Sequence, residues 1–329
     1  MADAAAMAEQ KSASPTRFAA KGADPDRPPR ASVILPHLNT PDLLHQALAS
    51  LAAQILDFGW FEVIVVDNGS TVPMAEVMAA WPEVRFLRTV EPGPGPARNV
   101  GVSAARSDSL CFIDADVVVH PRWLEAGLAA LQQDRSRPVG GDVRIGFADP
   151  RQPTGVEAFE AAFSFRQKIY IERENYSVTA NLMMDRQVFE AAGPFGPIDT
   201  PEDIDFGKRA TALGHKPRYV PGMLAWHPAR PDVEAVRRKT ERVARQKLTR
   251  HLAEGRSLAM FRLAALATMV SGPVMGVRMA TTDRIEGLAN RLKGYGVLMA
   301  VRFFKGLDMW RLASAHASGR LGEAVSWNR

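Results

Sequence analysis

The chain has 329 residues, which is too long for one minimal core and suits one large α/β domain with an appended region. A hydrophobic content of 46% and a charged content of 23% are ordinary for a folded protein and exclude a chain that is disordered throughout. The one cysteine, Cys111, excludes an internal disulfide. It lies in an apolar, strand-like run, which favours a buried thiol over a nucleophile and fits a reducing cytosol.

The first thirty residues have a composition unlike the rest of the chain. They read MADAAAMAEQKSASPTRFAAKGADPDRPPR and are rich in Ala, Pro and charge. They have neither the basic start nor the apolar centre of a signal peptide. We therefore predict that residues 1–30 form a disordered tail.

From residue 31 the sequence alternates short β-branched runs with segments of helical length. ASVILP, FEVIVVD, VRFLRTV and SDSLCFIDADVVV predict strands at 31–36, 61–67, 84–90 and within 107–119. Asn39, Thr40 and Pro41 supply a cap and a first-turn proline for a helix that follows the first strand. Strands separated by helices predict βαβ units and a parallel sheet.

Polar clusters follow the first three predicted strands, and a fourth cluster, DAD at 114–116, interrupts the fourth strand. Because ligands of such sheets bind beyond the carboxyl ends of the strands, these clusters should meet at one edge. The side chains expected there are Pro36, Asn39, Asp67, Asn68, Arg98, Asn99, Asp114 and Asp116.

Each cluster also has a purely structural interpretation. DNGS at 67–70 is a sequence typical of a turn, and EPGPGP at 91–96 suits a rigid loop. No dinucleotide fingerprint or Walker loop is present in this region. Asp114 and Asp116 are harder to explain structurally, since carboxylates beside a buried strand need compensation. Hard oxygen ligands of this kind suit Mg²⁺ or Mn²⁺ bound together with a diphosphate.

The ordered motifs resemble one enzyme family. They read ASVILPHLN, EVIVVDNGS, GPGPARNVG, LCFIDADV, TANLMMDRQVFEAAGPF and EDIDFGKRATALGHKPRYVPGMLAWH. Over residues 31–230 the chain resembles the inverting family 2 glycosyltransferases with the GT-A fold. The resemblance implies a Rossmann-like, mixed and mainly parallel sheet flanked by helices. It also implies transfer of a sugar from a nucleotide-sugar donor, usually UDP-linked, with Mn²⁺ or Mg²⁺ on the diphosphate.

The resemblance also implies donor-binding roles. Pro36 and Asn39 match the loop that touches the nucleotide, and Asp67 matches an acid that holds the base. Many members have an aromatic residue where this chain has Leu38, and a second acid where it has Asn68. The Asn68 amide could therefore recognise a base other than uracil, which leaves UDP open.

The resemblance implies further roles for residues of the later motifs. Arg98 and Asn99 match residues that close the donor pocket. Asp116 is implied as the direct metal ligand, with Asp114 nearer the ribose or a metal-bound water. His227 matches a position that contacts metal or diphosphate in some relatives, although a lone His after a strand is often structural.

The acidic run TPEDID at 200–205 has two interpretations. Thr200, Pro201 and Asp203 are arranged like the cap, first residue and third residue of a helix. The resemblance instead implies that Asp203 is the general base that takes the proton of the attacking hydroxyl, with Glu202 contacting the acceptor.

Two other classes of protein remain as alternatives. A nucleotidyltransferase would share the sheet and the acidic cluster, but PHLNTPD lacks a glycine-rich, basic phosphate loop. A non-catalytic sugar-nucleotide-binding scaffold could keep the fold without turnover. We expect a glycan or lipid-linked acceptor, used in synthesis of a cell-surface polysaccharide or glycolipid, and no nucleic-acid partner.

The last hundred residues are strongly basic. Residues 231–329 contain 18 Lys and Arg against 8 Asp and Glu, a net charge of +10, whereas the remainder carries −5. The longest uncharged run, 263–277, is shorter than a bilayer span. We predict a basic, amphipathic helical region peripheral to the cytoplasmic face of an anionic membrane. The alternative is a set of ordinary helices packed on the catalytic domain or on a second subunit.

Overall fold

The computed structural model describes residues 28–56, 61–198 and 200–319. The predicted disordered tail lies outside these residues, apart from 28–30. The chain divides into two compact units. The first comprises the residues up to Arg144 together with Phe165–Pro228, and the second comprises Ile145–Ser164 together with the residues from Ala229 onwards.

One mixed sheet of eight strands organises the first unit, in the order β3-β2-β1-β4-β7-β6-β8-β5. The strands are β1 Ala31–His37, β2 Phe61–Asp67, β3 Arg85–Arg88, β4 Ser109–Ile113, β5 Val118–Val119, β6 Val139–Gly146, β7 Asn181–Asp185 and β8 Arg218–Pro228. Strands β3, β2, β1 and β4 are parallel, whereas β7 pairs antiparallel with both β4 and β6. The predicted α/β class and mixed sheet are confirmed. Which strands are antiparallel was not predicted.

Helices cover both faces of this sheet. They are α1 Pro41–Ala52, α2 Ala75–Ala80, α3 Pro94–Ala104, α4 Trp123–Gln133, α6 Gln167–Glu174, α7 Arg186–Ala192 and α8 Glu202–Ala212. Alternate residues of the central strands face opposite sides, as the two-residue repeat of a strand requires. Val33 and Leu35 pack with α1, α2 and α4, whereas Ile34 and Phe112 pack with α3, α7 and α8. Burial on both faces explains why these strands read as continuous apolar runs.

Strand register sets the position of the polar clusters. His37 pairs with Asp67 across β1 and β2, so the loops after these two strands start side by side. At the far edge, Val118 of β5 pairs with Trp226 of β8. This register brings the residues just before β5 close to His227, although more than a hundred positions separate them in sequence.

Cys111 is fully buried in β4, and burial raises the pKa of its thiol above the ordinary value. The predicted inert thiol is confirmed, because a group that stays protonated is a poor nucleophile. The predicted fourth strand and its interruption by DAD are confirmed: β4 ends at Ile113, β5 begins at Val118, and the two aspartates lie in the turn between them.

The second unit is helical. Its helices are α5 Gly155–Phe163, α9 Val233–Ala253, α10 Leu258–Val270, α11 Gly272–Thr281 and α12 Leu288–Ala317. One cluster joins Leu248, Phe261 and Leu312, and another joins Phe159, Val236 and Leu298. The predicted helical C-terminal region is confirmed. No single helix in the described ranges has the length and apolarity needed to cross a membrane, although α10 and α11, bent by 52° from each other, meet these criteria as a pair.

Candidate active site

Asn39 ties the loop after β1 to the loop after β2. Its φ is 56°, a left-handed conformation that Asn tolerates better than most residues. Its Oδ1 accepts hydrogen bonds from the backbone N–H groups of Thr71 at 2.8 Å and Val72 at 3.2 Å, and its own N–H donates to Ser70 Oγ at 2.9 Å. The predicted donor-binding residue therefore holds these two loops in register.

His37 and Asp67 form a second link between the same loops. Asp67 Oδ1 accepts from Ser70 N at 3.0 Å and lies 3.7 Å from His37 Nδ1. The Thr40 N–H donates to His37 Nε2 at 3.1 Å, so the neutral ring carries its proton on Nδ1, the nitrogen that faces Asp67. Burial lowers the pKa of His37 although Asp67 opposes this. Sequence analysis did not select His37, and its pairing with Asp67 is visible only in the strand register.

Asn68 uses both ends of its amide to hold the loop after β3. Its Nδ2 donates to the Glu91 carbonyl at 2.6 Å, and its Oδ1 accepts from Gly93 N at 2.7 Å. Both ends of the side chain are thus engaged by backbone. One N–H and one oxygen lone pair of the amide are not used by these two hydrogen bonds, so the expected contact with a nucleotide base does not require them to break.

Arg98 bridges two carboxylates from distant parts of the chain. Its side chain is 2% exposed, and its Nη2 donates to Asp114 Oδ1 at 2.6 Å while its Nη1 donates to Glu202 Oε1 at 3.1 Å. A buried guanidinium is stable only when paired, and a planar fork suits two carboxylates. The predicted donor-pocket residue Arg98 therefore positions the predicted metal ligand Asp114 relative to the start of α8.

Asn99 clamps the segment that precedes α8. Its Nδ2 donates to the Phe195 carbonyl at 2.9 Å, and its Oδ1 accepts from Phe195 N at 2.9 Å. Gly95 explains part of the EPGPGP run, since a Cβ at this position would lie 2.2 Å from the Gly196 carbonyl oxygen. The loop after β3 and the segment before α8 are thus in direct contact.

The start of α8 does not have the capping arrangement that the sequence suggested. Pro201 occupies the cap position, and no side-chain hydrogen bond caps the helix. Asp203 Oδ1 instead accepts from the N–H of the next residue, Ile204, at 2.8 Å. The expected cap by Thr200 is wrong, because the first helical residue is Glu202 and not Pro201. Asp203 therefore binds one first-turn N–H of α8 through Oδ1, and the predicted arrangement with Thr200 as the cap is not formed.

Asp203 has the electrostatic setting of a general base. Burial raises the pKa of its carboxyl to about 6, and the neighbouring Glu202 adds to this effect, while Arg98 opposes it. A carboxylate with a pKa near 6 is ionised at pH 7, yet it is more basic than an ordinary aspartate. This combination is what proton abstraction near neutral pH requires.

Asp116 and His227 meet at the opposite side of the acidic turn. His227 Nδ1 lies 2.7 Å from the Pro228 carbonyl, which only accepts, so Nδ1 carries a proton. Its Nε2 then faces Asp116 Oδ2 at 3.3 Å. With a neutral ring, both of these atoms are acceptors. The contact is favourable when the ring gains a second proton or when a cation binds both atoms.

This pair fits a divalent cation. Two ligands at about 2.1 Å from a cation, in adjacent octahedral positions, lie roughly 3.0 Å apart, close to the observed separation. A carboxylate with an imidazole suits Mn²⁺ better than Mg²⁺, which prefers oxygen. Within the described ranges, no group of three or more His, Cys, Asp or Glu side chains could hold a metal. Asp114, the third predicted ligand, is paired with Arg98.

The family model "Glycosyl transferase family 2" matches residues 32–193, a range that ends before Glu202, Asp203 and His227. Glycosyltransferase AglE of Haloferax volcanii is 30% identical over 217 residues, which cover 64% of this chain and 71% of AglE. Validoxylamine A glucosyltransferase of Streptomyces hygroscopicus subsp. jinggangensis is 31% identical over 133 residues, which cover 38% of this chain and 31% of that protein.

One solved structure resembles nearly the whole chain. It is the mannosyltransferase PcManGT of Pyrobaculum calidifontis, in complex with GDP-Man and Mn²⁺, with a TM-score of 0.55 and 17% identity. The likeness covers 95% of this chain and 93% of that protein. At this level of identity the likeness shows the fold alone.

Proposed function

The chain belongs to glycosyltransferase family 2 and has its GT-A fold, and on this premise we propose that it transfers a sugar from a nucleotide-sugar to an acceptor hydroxyl with inversion of configuration. The observation that carries this proposal is the position and basicity of Asp203. Its pKa is raised to about 6, and its Oδ1 accepts from the Ile204 N–H at 2.8 Å in the first turn of α8.

The reaction is a single displacement at the anomeric carbon. The acceptor oxygen forms its bond to this carbon while the bond from the carbon to the diphosphate oxygen breaks. The acceptor proton goes to Asp203, and the nucleoside diphosphate leaves with the electron pair. One displacement inverts the anomeric carbon and needs no covalent intermediate.

Asp116 and His227 would hold a divalent cation, with the diphosphate of the donor completing its ligand shell. The cation, when bound, would neutralise the charge of the departing diphosphate. Mn²⁺ agrees with the mixed oxygen and nitrogen pair. The Nδ1 contact with the Pro228 carbonyl directs the lone pair of Nε2 towards the site, in the manner of the outer partners that orient ligating histidines.

Arg98 positions the acidic groups. By pairing with both Asp114 and Glu202, it holds the turn after β4 against the start of α8. Its positive charge also limits how far the pKa of Asp203 rises. Glu202 is thereby fixed beside the base, where we propose that it contacts the acceptor.

A UDP-sugar is our proposed donor, with Pro36, Asn39 and Asp67 beside the nucleoside. The alternative is a scaffold that binds nucleotide-sugars without turnover. The raised pKa of Asp203 favours the enzyme, because a binding protein has no need of a basic carboxylate. The acceptor is proposed as a glycan or a lipid-linked saccharide in synthesis of a cell-surface polysaccharide or glycolipid.

The test is turnover of defined donors by the full chain. UDP-, GDP-, CMP- and dTDP-linked sugars are incubated with Mn²⁺ or with EDTA, and the released nucleotide is measured. We expect Mn²⁺-dependent release of a nucleoside diphosphate from a UDP-sugar, and its loss in Asp203→Asn. Binding of a donor without release would indicate the scaffold. A product with retained anomeric configuration would exclude the single displacement.

A further inference from the structure

The second unit has an exposed apolar face that its own core does not use. Helix α10 packs on the core through Phe261 and Ala265. Its opposite side is also apolar, and Leu263 and Val270 there are 69% and 75% exposed. A helix that is apolar on both sides is expected either inside a larger core or in contact with lipid.

The next helix continues this face. In α11, Val274 and Val277 lie one turn apart, and both are exposed. Ser271 separates α10 from α11, Pro273 lies in the first turn of α11, and the two helix axes differ by 52°. Both helices therefore present solvent-facing valines and leucines on either side of the bend.

Helix α12 has a stripe of the same kind. Five of its six exposed large apolar side chains recur at intervals of four and seven residues, which places these five within about one quarter of the helix circumference and leaves Phe304 outside the stripe. The five are Leu288, Leu292, Met299, Phe303 and Trp310. The opposite side of α12 carries buried residues such as Leu298 and Leu312.

Helices α10, α11 and α12 are in contact with one another near the bend. A Cβ on Gly272 would lie 2.3 Å from Met299 Sδ, so α11 starts directly against the α12 stripe. Arg302 donates to Ser271 Oγ at 2.7 Å, and the Arg262 guanidinium lies 5.7 Å from the centre of the Trp310 ring. We name ten exposed apolar residues of these three helices the apolar face. They are Leu263, Leu266, Val270, Val274, Val277, Leu288, Leu292, Met299, Phe303 and Trp310.

The surroundings of the apolar face are basic. Residues 256–319 contain nine Lys and Arg and three Asp and Glu. One of the three acids, Asp308, is buried and lies 3.6 Å from Arg237 and 3.9 Å from Arg311. Lys293, next to Leu292 of the stripe, is exposed, as is Arg311 next to Trp310. The excess positive charge therefore lies close to the apolar side chains.

We propose that the apolar face inserts into the surface of an anionic lipid bilayer, with the basic residues around it contacting the headgroups. Apolar side chains flanked by Lys and Arg, with an aromatic residue among them, are the chemistry of an interfacial helix. A second copy of this chain is disfavoured as the occupant, because it would bring an equal positive charge against the first. The proposal concerns the second unit by itself and does not depend on the sugar donor.

Flotation of the full chain with vesicles tests this surface. Vesicles of phosphatidylcholine alone are compared with vesicles that also contain phosphatidylglycerol. We expect the protein to float with the anionic vesicles and to stay at the bottom with the neutral ones. Raised ionic strength should weaken the binding, since salt screens charges at a surface.

Two matched variants separate the apolar face from general surface hydrophobicity. Leu263→Ser/Val270→Ser/Val274→Ser removes three exposed side chains of the apolar face without changing the charge. Ile55→Ser/Met78→Ser/Leu213→Ser removes three exposed apolar side chains of the first unit. We expect the first variant to lose at least tenfold in bound fraction relative to free protein, and the second to bind like the wild type. Thermal unfolding and donor turnover of both variants check that they are folded.

A third variant tests the charge. Lys293→Gln/Arg311→Gln should weaken flotation with anionic vesicles several-fold. The proposal is overturned if the wild type stays at the bottom with anionic vesicles, or if the first variant floats as well as the wild type. It is also overturned if wild-type protein dimerises in solution, the first variant is monomeric, and neither floats, because a second copy would then cover the apolar face.

Discussion

His227 Nε2 lies 3.3 Å from Asp116 Oδ2, and its other ring nitrogen is committed to the Pro228 carbonyl. This arrangement leaves two acceptors face to face when the imidazole is neutral. A cation bound by both atoms would satisfy them together, which links this contact to the proposed metal dependence.

Replacing His227 by Ala should weaken Mn²⁺ binding in the presence of a UDP-sugar. Loss of an outer partner of a metal site typically costs about 10- to 100-fold in affinity, so loss of a ligand should cost at least ~10-fold. The measurement is a titration of Mn²⁺ against turnover and against thermal stability. The matched control is His215→Ala, since His215 Nδ1 lies 2.7 Å from the Ser136 carbonyl. Equal Mn²⁺ requirements in both variants would contradict the assignment.

Asp203→Asn should lower kcat/KM by roughly 10²- to 10⁴-fold, the usual contribution of a general base. Donor binding should change little, because the amide retains the size of the side chain. The control is Asp205→Asn in the same helix, whose carboxylate pairs with Arg209 at 2.9 Å. A fall in activity of the same size in both variants would point to damage of α8 and not to lost proton transfer.

The pH dependence of turnover should follow the ionisation of the Asp203 carboxyl. With its pKa raised to about 6, the base is protonated below this pH, so kcat/KM of the wild type should fall as pH drops through about 6. The residual activity of Asp203→Asn should lack this limb. A limb near pH 4, the ordinary value for aspartate, would contradict the raised pKa.

The free energy of unfolding should also depend on the ionisation of Asp203. It should fall with rising pH, whereas the activity should rise. Because the native state binds the Asp203 proton more tightly than the unfolded state does, this residue contributes most to the free energy of unfolding below pH ~4. That contribution is lost as pH rises from ~4 to about 6. Asp203→Asn should therefore gain stability relative to the wild type across this range, as measured by denaturant unfolding. An unchanged difference between the two proteins would contradict the assignment.

Arg98→Gln should destabilise the fold and raise the pKa of the general base, Asp203. Two carboxylates would lose a buried cation, and breaking a buried ion pair typically costs about 3–5 kcal/mol. Since Arg98 holds the pKa of Asp203 down, the acidic limb of the activity profile should also move to higher pH. Arg106→Gln is the control, because Arg106 pairs with Glu62 at 3.1 Å but is half exposed. If Arg98→Gln lowers stability but does not move the acidic limb of the activity profile, Arg98 has only a structural role.

Gly95→Ala should disturb the contact between the loop after β3 and the segment before α8. A new Cβ would lie 2.2 Å from a backbone oxygen, which cannot move away as a flexible side chain would. Overpacking of this kind typically costs about 1–3 kcal/mol. Gly296→Ala is the control, since a Cβ there meets nothing within 4 Å and alanine favours a helix. Thermal unfolding of both variants distinguishes the two cases.

Local pattern alone was enough for much of the fold. The buried strands β1 and β2 were predicted almost to the residue, because both faces of a strand in a covered sheet require apolar side chains. The edge strand β3 is shorter than its predicted range. The run 107–119 was predicted to contain a strand interrupted by DAD, and β4 indeed ends at Ile113, directly before Asp114. The separate strand β5 and its pairing with β8 were not predicted.

The candidate site residues were found as members of separate motifs, and the sequence by itself determined which residue types stand at the strand ends. Their partners were decided only by the tertiary structure. Arg98 reaches Glu202 and Asn99 reaches Phe195 across about a hundred positions, and Asp116 meets His227 through antiparallel pairing of β5 with β8. Sequence spacing reports contacts only along one helix or strand, whereas these contacts depend on the path of the chain between elements. The pKa of Asp203 likewise depends on burial and on charges brought from elsewhere, which no local motif encodes.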